Sequence, residues 1–198
     1  YLQIASLREE LPDVPVIALT ASATPLVQKD IQEKLRMKQP QVFRQGFARP
    51  DLSYRVTLTD SKAASIASLL RLNAGSGLIY CKSRKRTKEL SDLLSMQGIS
   101  CGYYHAGLNQ QERAERQNAW IKNEIRIMVC TNAFGMGIDK PNIRVTVHAS
   151  MPSSIEQFVQ EAGRAGRDGK DAIGVLVGNI PSISDPLVVN ILKPDLAS

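Results

Sequence analysis

Gly77-Leu-Ile-Tyr-Cys-Lys-Ser-Arg-Lys-Arg-Thr-Lys-Glu-Leu-Ser-Asp-Leu-Leu-Ser-Met-Gln-Gly98 changes its period partway along. Residues 77–81 form a short apolar run of the length of a buried strand. Leu90, Leu93, Leu94 and Gln97 then recur at helical spacing, and Gly98 closes the helix. Residues 99–104 read as a strand again. Strand, helix and strand in succession predict parallel strands joined by a crossover.

The alternation continues on both sides of this unit. Upstream, Tyr54, Val56 and Leu58 alternate as a strand, and Ala63, Ile66, Ala67 and Leu70 give a helix. Downstream come a weaker helix over 110–122, a strand over 125–130 and another over 143–149. Ser153 and Glu156 have capping-box spacing before a helix whose apolar face is Ile155, Phe158, Val159 and Ala162. Residues 172–177 are the last strand. Each strand is expected to be followed by a crossover, so the fold class is α/β, a parallel sheet with helices on both faces and ligands at the carboxyl ends of its strands.

A boundary falls near residue 48, before the turn Arg49-Pro50-Asp51. On its near side, Leu2, Ile4, Leu7 and Leu11 read as a helix cut at its beginning. The run Val14-Pro-Val-Ile-Ala-Leu-Thr-Ala21 reads as a buried strand, and Thr24 as N-cap with Pro25 opens a helix through Val27, Ile31 and Leu35, ending near Met37. Residues 181–198 are a tail rich in Pro, Ser and Asp.

Hydrophobic content of 43% supports a real core, and a net charge of +6 with pI near 9.3 leans toward an anionic partner. No run of about 18 apolar residues argues for a membrane span, and the expected setting is soluble and intracellular. Cys81, Cys101 and Cys130 lie in or beside apolar runs without metal-ligand spacing. They are expected to be small buried hydrophobes of a reducing compartment, with no metal bound.

Four stretches carry residue types suited to phosphate or sugar, and all are expected at the carboxyl ends of strands. Residues 82–88 hold five cations in seven positions. In a first helical turn these oppose the helix dipole unless an anion is bound, with Ser83, free backbone N–H groups and Arg84 as its site; a solvated basic face is the alternative. In Tyr103-Tyr-His-Ala-Gly-Leu108, His105 and Gly107 suit a phosphate or sugar contact with close backbone approach, a core histidine or metal ligand being the alternatives. Arg113 and Arg116 on the following helix read as facing water. In Thr131-Asn-Ala-Phe-Gly-Met-Gly-Ile-Asp-Lys-Pro141, Gly135 and Gly137 permit a bent loop. Thr131 can donate to an anion there and Asp139 can accept from a sugar hydroxyl, unless this is an ordinary turn before Pro141. Gln160-Glu-Ala-Gly-Arg-Ala-Gly-Arg-Asp-Gly169 is either a phosphate-binding elbow, its guanidinium forks matched to phosphate oxygens, or a glycine-rich helix C-cap with two solvated arginines.

Taken together, these stretches resemble the second half of a superfamily-two helicase, specifically a RecQ-family DNA helicase, over essentially the whole chain. Ala18-Leu-Thr-Ala-Ser-Ala-Thr24 is similar to motif III, which couples nucleotide state to DNA, implicating Thr20, Ser22 and Thr24. Gly77–Arg84 is similar to motif IV and Tyr104–Leu108 to the segment after it, which makes Ser83, Arg84, His105 and Gly107 DNA-binding. Thr131–Pro141 resembles motif V, implying DNA contacts at Thr131 and Asn132 and nucleotide contacts at Gly137 and Asp139. Residues 160–169 resemble motif VI, with Gln160 at the nucleotide, Arg164 and Arg167 catalytic, and Arg167 the arginine finger.

The resemblance implies a RecA-like, P-loop NTPase-type fold. Residues 1–47 would be the remnant of a first, ATP-binding lobe, 48–180 the second lobe, and 181–198 a tail toward a further domain. It also implies 3′ to 5′ movement on single-stranded or duplex-junction DNA, with the first lobe in cis as partner and no membrane. ATP and Mg2+ would be held mainly by that first lobe and none tightly by this chain. Neither a Gly-x-x-x-x-Gly-Lys-Ser/Thr loop nor an Asp-Glu-x-His occurs among the 198 residues, and both are expected upstream of Tyr1. Nor do a cysteine-rich zinc module or winged helix. The chain alone is therefore expected to be inactive. A superfamily-two RNA helicase lobe, or a non-enzymatic nucleic-acid-binding module using Lys82–Lys88, are the alternatives.

Overall fold

The computed structural model describes residues 4–11, 13–20, 23–44, 48–135 and 138–179. Its contacts divide the chain into two units, Tyr1–Ala48 and Arg49–Ser198.

The smaller unit holds α1 (Ile4–Glu10) and α2 (Pro25–Lys34). Thr24 caps α2, its hydroxyl accepting from the Val27 amide at 3.4 Å, with Pro25 in the first turn. The strand expected over 14–21 does not form among the described residues. Residues 15–20 belong to no helix or strand, and Ile17 and Leu19 are 82% and 91% exposed. A strand needs a neighbour for its N–H and C=O groups, and every strand among the described residues belongs to the other unit.

The larger unit runs β1 (Leu52–Leu58), α3 (Lys62–Leu72), β2 (Ser76–Tyr80), α4 (Arg84–Met96), β3 (Cys101–Tyr104), α5 (Gln110–Ile121), β4 (Ile127–Cys130), β5 (Ile143–His148), α6 (Ile155–Ala162) and β6 (Ala172–Gly178). Six strands form one sheet in the order β1-β6-β5-β2-β4-β3, every pair parallel. Strands β2, β4 and β6 are buried along their whole length, as befits a parallel sheet covered on both faces.

Alternate strand residues feed the two faces. Ile79, Val129, Val147 and Val175 pack with Ile66 and Leu70 of α3 and Leu94 of α4. Leu78, Tyr80, Met128 and Cys130 pack with Trp120 of α5, and Leu176 with Phe158 of α6. The expected α/β architecture is therefore the observed one. Burial pushes the Cys81 and Cys101 thiols up to about 12, so neither is a thiolate at neutral pH.

The crossover after β4 has no helix among the described residues, the chain passing from the carboxyl end of β4 to the amino end of β5. One expectation is corrected: α6 is capped by Ser154, which accepts from the Gln157 amide at 3.1 Å, so Ser153 and Glu156 form no capping box. A capping box does form at α5, between Asn109 and Glu112.

Trp120 is fully buried, and its indole N–H donates to the Gly77 carbonyl at 3.2 Å, tying α5 to β2. Trp120→Ala is expected to cost about 3–5 kcal/mol in denaturant unfolding. Circular dichroism is the probe to use, because Trp120 is the sole tryptophan.

Candidate functional site at two edges of the sheet

Helix α6 buries Phe158, Glu161 and Ala162 and exposes Gln160. A buried carboxylate needs partners, and Glu161 has two: Oε2 lies 2.8 Å from His148 Nε2 at the end of β5, and Oε1 accepts from Gln157 Nε2 at 2.9 Å. The His148 ring is stacked 5.0 Å from Tyr80 and tilted 4.8 Å from Phe158, which fixes it between sheet and helix.

Past the helix end, the two arginines part. Arg164 turns inward and donates from Nη1 to the Gly135 carbonyl. Gly135 has φ +118°, and a Cβ there would lie 2.6 Å from Arg164 Cζ, so only glycine allows this approach. Burial raises the Tyr80 hydroxyl well above its ordinary pKa, the neighbouring Cys130 adds to the rise, and the Arg164 charge opposes it.

Arg167, by contrast, is exposed and makes no hydrogen bond or ion pair among the described residues. The loop around it is nonetheless well held. The Gly166 amide donates to the Ile143 carbonyl at 2.9 Å, Arg49 donates to the carbonyls of Gly163, Ala165 and Gly166, and Arg144 pairs with Asp168. Arg49 and Arg144 are residues that sequence reasoning missed as site-builders. The Arg49-Pro50-Asp51 stretch signalled only a turn, and Arg144 only an interruption in an apolar run.

These contacts correct the expected location. Ile143, Leu52 and Ala172 begin β5, β1 and β6, so the arginine loop lies at the amino ends of those strands, not at carboxyl ends. A crossover helix runs antiparallel to the strands it joins and returns the chain to their starting edge. Asp139 shares this edge and is exposed. Its neighbour Lys140 is buried, its ammonium donating to the Ile121 carbonyl at 3.0 Å and Asn123 Oδ1 at 2.7 Å and lying 5.1 Å from the Trp120 ring centroid. Arg164 and Arg167 line one pocket with Phe134, Gly135, Ile138 and Lys140. Gly137 and Ser22 lie outside the described residues; Thr24 serves as the α2 cap, and Thr20 belongs to no helix or strand of the smaller unit.

The remaining expected residues do gather at the carboxyl ends of three adjacent strands, β2, β4 and β3. Ser83 caps α4 by accepting from the Arg86 amide at 3.3 Å, and the first turn, Arg84-Lys85-Arg86, contains no acid. The Arg84 guanidinium lies against Gly107, where a Cβ would stand 2.9 Å from Nη1. Thr131 follows β4, its amide donating to the Tyr104 carbonyl at 3.2 Å, and Asn132 beside it is exposed. His105 is half-buried, tilted 5.7 Å from Tyr103, with no partner at Nδ1.

Arg116 does not simply face water: its guanidinium sits 4.0 Å above the Tyr103 ring, and Arg113 Nε is buried. Lys62, which the sequence reading passed over, reaches this edge and donates to the Ala149 carbonyl at 3.1 Å. Partial burial lowers its pKa, with the nearby Arg86 charge adding to the effect.

Asp168 supplies a pH test. The hydrogen bond from Arg144 holds its carboxyl below the usual range. A depressed folded pKa adds stability that is present above the unfolded value, about 4, and is lost as pH falls through the folded value. Asp168→Asn is expected to flatten the acid side of the stability profile below about pH 4 and to leave a constant offset near neutrality, read by unfolding from acid to neutral pH.

Comparison with known proteins bears on the family and the fold. The helicase conserved C-terminal domain family matches residues 61–169. RecQ-like DNA helicase blm-1 of Caenorhabditis elegans is 43% identical over 176 residues, 85% of this chain and 18% of that protein. A protein of Acanthamoeba polyphaga mimivirus, R290, provisionally named an ATP-dependent RNA helicase, is 41% identical over 172 residues, 86% of this chain and 31% of that one. The chain thus spans less than a third of either relative. Among solved structures, Saccharomyces cerevisiae Dbp5 bound to RNA and ADP BeF3 aligns with a TM-score of 0.77 at 18% identity, covering 97% of this chain and 51% of that one, a likeness of fold.

Proposed function

The chain belongs to the helicase conserved C-terminal domain family and is of RecQ type, and on that premise we propose that it is the second motor lobe of an ATP-dependent 3′ to 5′ DNA helicase. Residues 1–47 are read as the end of a first RecA-like lobe and 48–180 as the second. The observation that carries the reading is the division of labour between the two arginines. Arg164 is committed to the Gly135 carbonyl, whereas Arg167 stands exposed on a braced loop with no partner among the described residues. A permanently charged guanidinium held this way suits the charge that builds on a transferring phosphoryl group.

ATP with Mg2+, held mainly by the first lobe, would supply that phosphoryl group. The residues here fit a contributor from the opposite side: an exposed arginine, with Asp139 and Gln160 exposed to meet sugar or base, and no phosphate loop in the 198 residues. At the other edge, Ser83, Arg84, His105, Gly107, Thr131 and Asn132 provide cations, hydroxyls and close backbone approach for a strand's phosphates. Contacts to phosphate and sugar position a strand without reading its sequence, as a translocating motor requires. An RNA duplex is the second reading, favoured by the name of the mimiviral relative, and unwinding assays on matched DNA and RNA duplexes separate the two.

In a protein carrying this chain together with an ATP-binding lobe, Arg167→Ala is expected to lower kcat for nucleic-acid-stimulated ATP hydrolysis by about 10³–10⁵. DNA affinity should stay within about twofold; a parallel loss of DNA binding would assign Arg167 to the strand instead. The 198-residue chain by itself is expected to show no DNA-stimulated ATP turnover, and a robust rate from pure material would overturn the lobe assignment.

A further inference from the structure

Arg167 can act on a nucleotide only if its loop is held in one place, since small displacements of a reacting group cost rate steeply. The side chain that holds the approach to Arg167 lies more than a hundred residues earlier. Arg49, the first residue of the larger unit, donates from Nη2 to the Gly166 carbonyl at 2.8 Å and the Ala165 carbonyl at 3.2 Å, and from Nη1 to the Gly163 carbonyl at 3.5 Å.

These acceptors lie just beyond the last turn of α6. A helix end leaves carbonyls without intrahelical partners at the negative end of its dipole, so a cation is favoured there. The three acceptors call for more than charge: a planar fork can meet several carbonyls in fixed directions, and an ammonium cannot. The Asp51 carboxylate, 3.5 Å from Nη2, sits beside the guanidinium.

Gly166 shows what is being held. Its φ is +67°, its amide is bound by the Ile143 carbonyl and its own carbonyl by Arg49. A Cβ at this position would come within 3.0 Å of the Lys170 carbonyl oxygen and 3.4 Å of Arg49 Nη2. Both polar groups of the residue immediately before Arg167 are therefore spoken for. Once that carbonyl is fixed, so is the plane of the peptide from which Arg167 departs.

We propose that Arg49 is a positioning residue for Arg167: by gathering the carbonyls of Gly163, Ala165 and Gly166 it sets the direction in which the Arg167 side chain leaves the loop. This rests on the reading of Arg167 as the arginine finger. Arg49 acts through the loop and takes no part in binding nucleotide or nucleic acid.

The test is a double-mutant cycle in a protein that carries both lobes. Arg49→Ala is expected to lower kcat for nucleic-acid-stimulated hydrolysis by about ten- to a hundredfold, with nucleotide and DNA affinities within about twofold. Arg49→Lys, which keeps the charge and loses the fork, should fall in between, and it carries the test if Arg49→Ala does not fold. In an Arg167→Ala background, Arg49→Ala should lower the residual rate no further, because its effect passes through Arg167. If Arg167→Ala alone leaves kcat unchanged, the finger reading fails and this inference falls with it. If Arg167→Ala is crippled but both Arg49 variants keep kcat within about twofold, with at most a lowered melting temperature, Arg49 is a helix cap only and this inference alone is overturned. An equal loss from Arg49→Ala in both backgrounds overturns it as well.

Discussion

Glu161 is the constraint from which the arrangement of the arginine edge follows. The residue is 5% exposed, and its carboxylate lies against His148, itself 1% exposed, between sheet and helix. Leaving either buried polar group without its hydrogen-bond partner costs about 1–3 kcal/mol. The rotation of α6 is thereby locked. With Phe158, Glu161 and Ala162 inside, Gln160 is outside, and Arg164, three residues after Glu161, starts on the inner side. The charges of Glu161 and Arg164 act with opposite sign on both Tyr80 and Cys130. Arg164 is thereby turned to the Gly135 carbonyl, and the outward role passes to Arg167.

Much of the fold was legible because its signals were local. Residues 77–81, 125–130 and 172–177 announced strands by length and apolar content, and the structure forms β2, β4 and β6 there. The stretch over 14–21 carried the same signal and failed, because apolar content predicts that a segment wants a sheet and says nothing of whether a neighbouring strand is within reach. The cap of α6 moved by one residue because Ser153 and Ser154 offer the same chemistry and only the geometry of the entering chain chooses between them. For the site, residue types pointed to phosphate, and the edge of the sheet was misjudged for residues 160–169. Position relative to the strands depends on helix direction, a tertiary property. Arg49 and Arg144 were invisible for a related reason: an arginine that braces a loop looks in sequence like any other surface cation, and only its distant acceptors distinguish it.

The two edges are not independent, because one covalent segment joins them. After β4 the chain leaves the carboxyl edge at Thr131 and reaches the amino edge by Asp139. Along the way Phe134 lies 4.6 Å from the Tyr104 ring and 5.4 Å from the Trp120 ring, the Gly135 carbonyl accepts from Arg164, and Lys140 is buried against α5. Interiors packed at this density do not absorb a displacement locally, so a shift imposed at Thr131 has to be met by Phe134 and its neighbours. Among the described residues, this segment's hydrogen bond to the arginine stretch is at Gly135, to the arginine that faces inward. On the proposed reading, nucleic acid held at Thr131 and Asn132 and nucleotide met by Arg167 are therefore linked through Gly135 and Arg164. That gives the inward arginine a mechanical role in the motor, distinct from the electrostatic one assigned to its exposed neighbour.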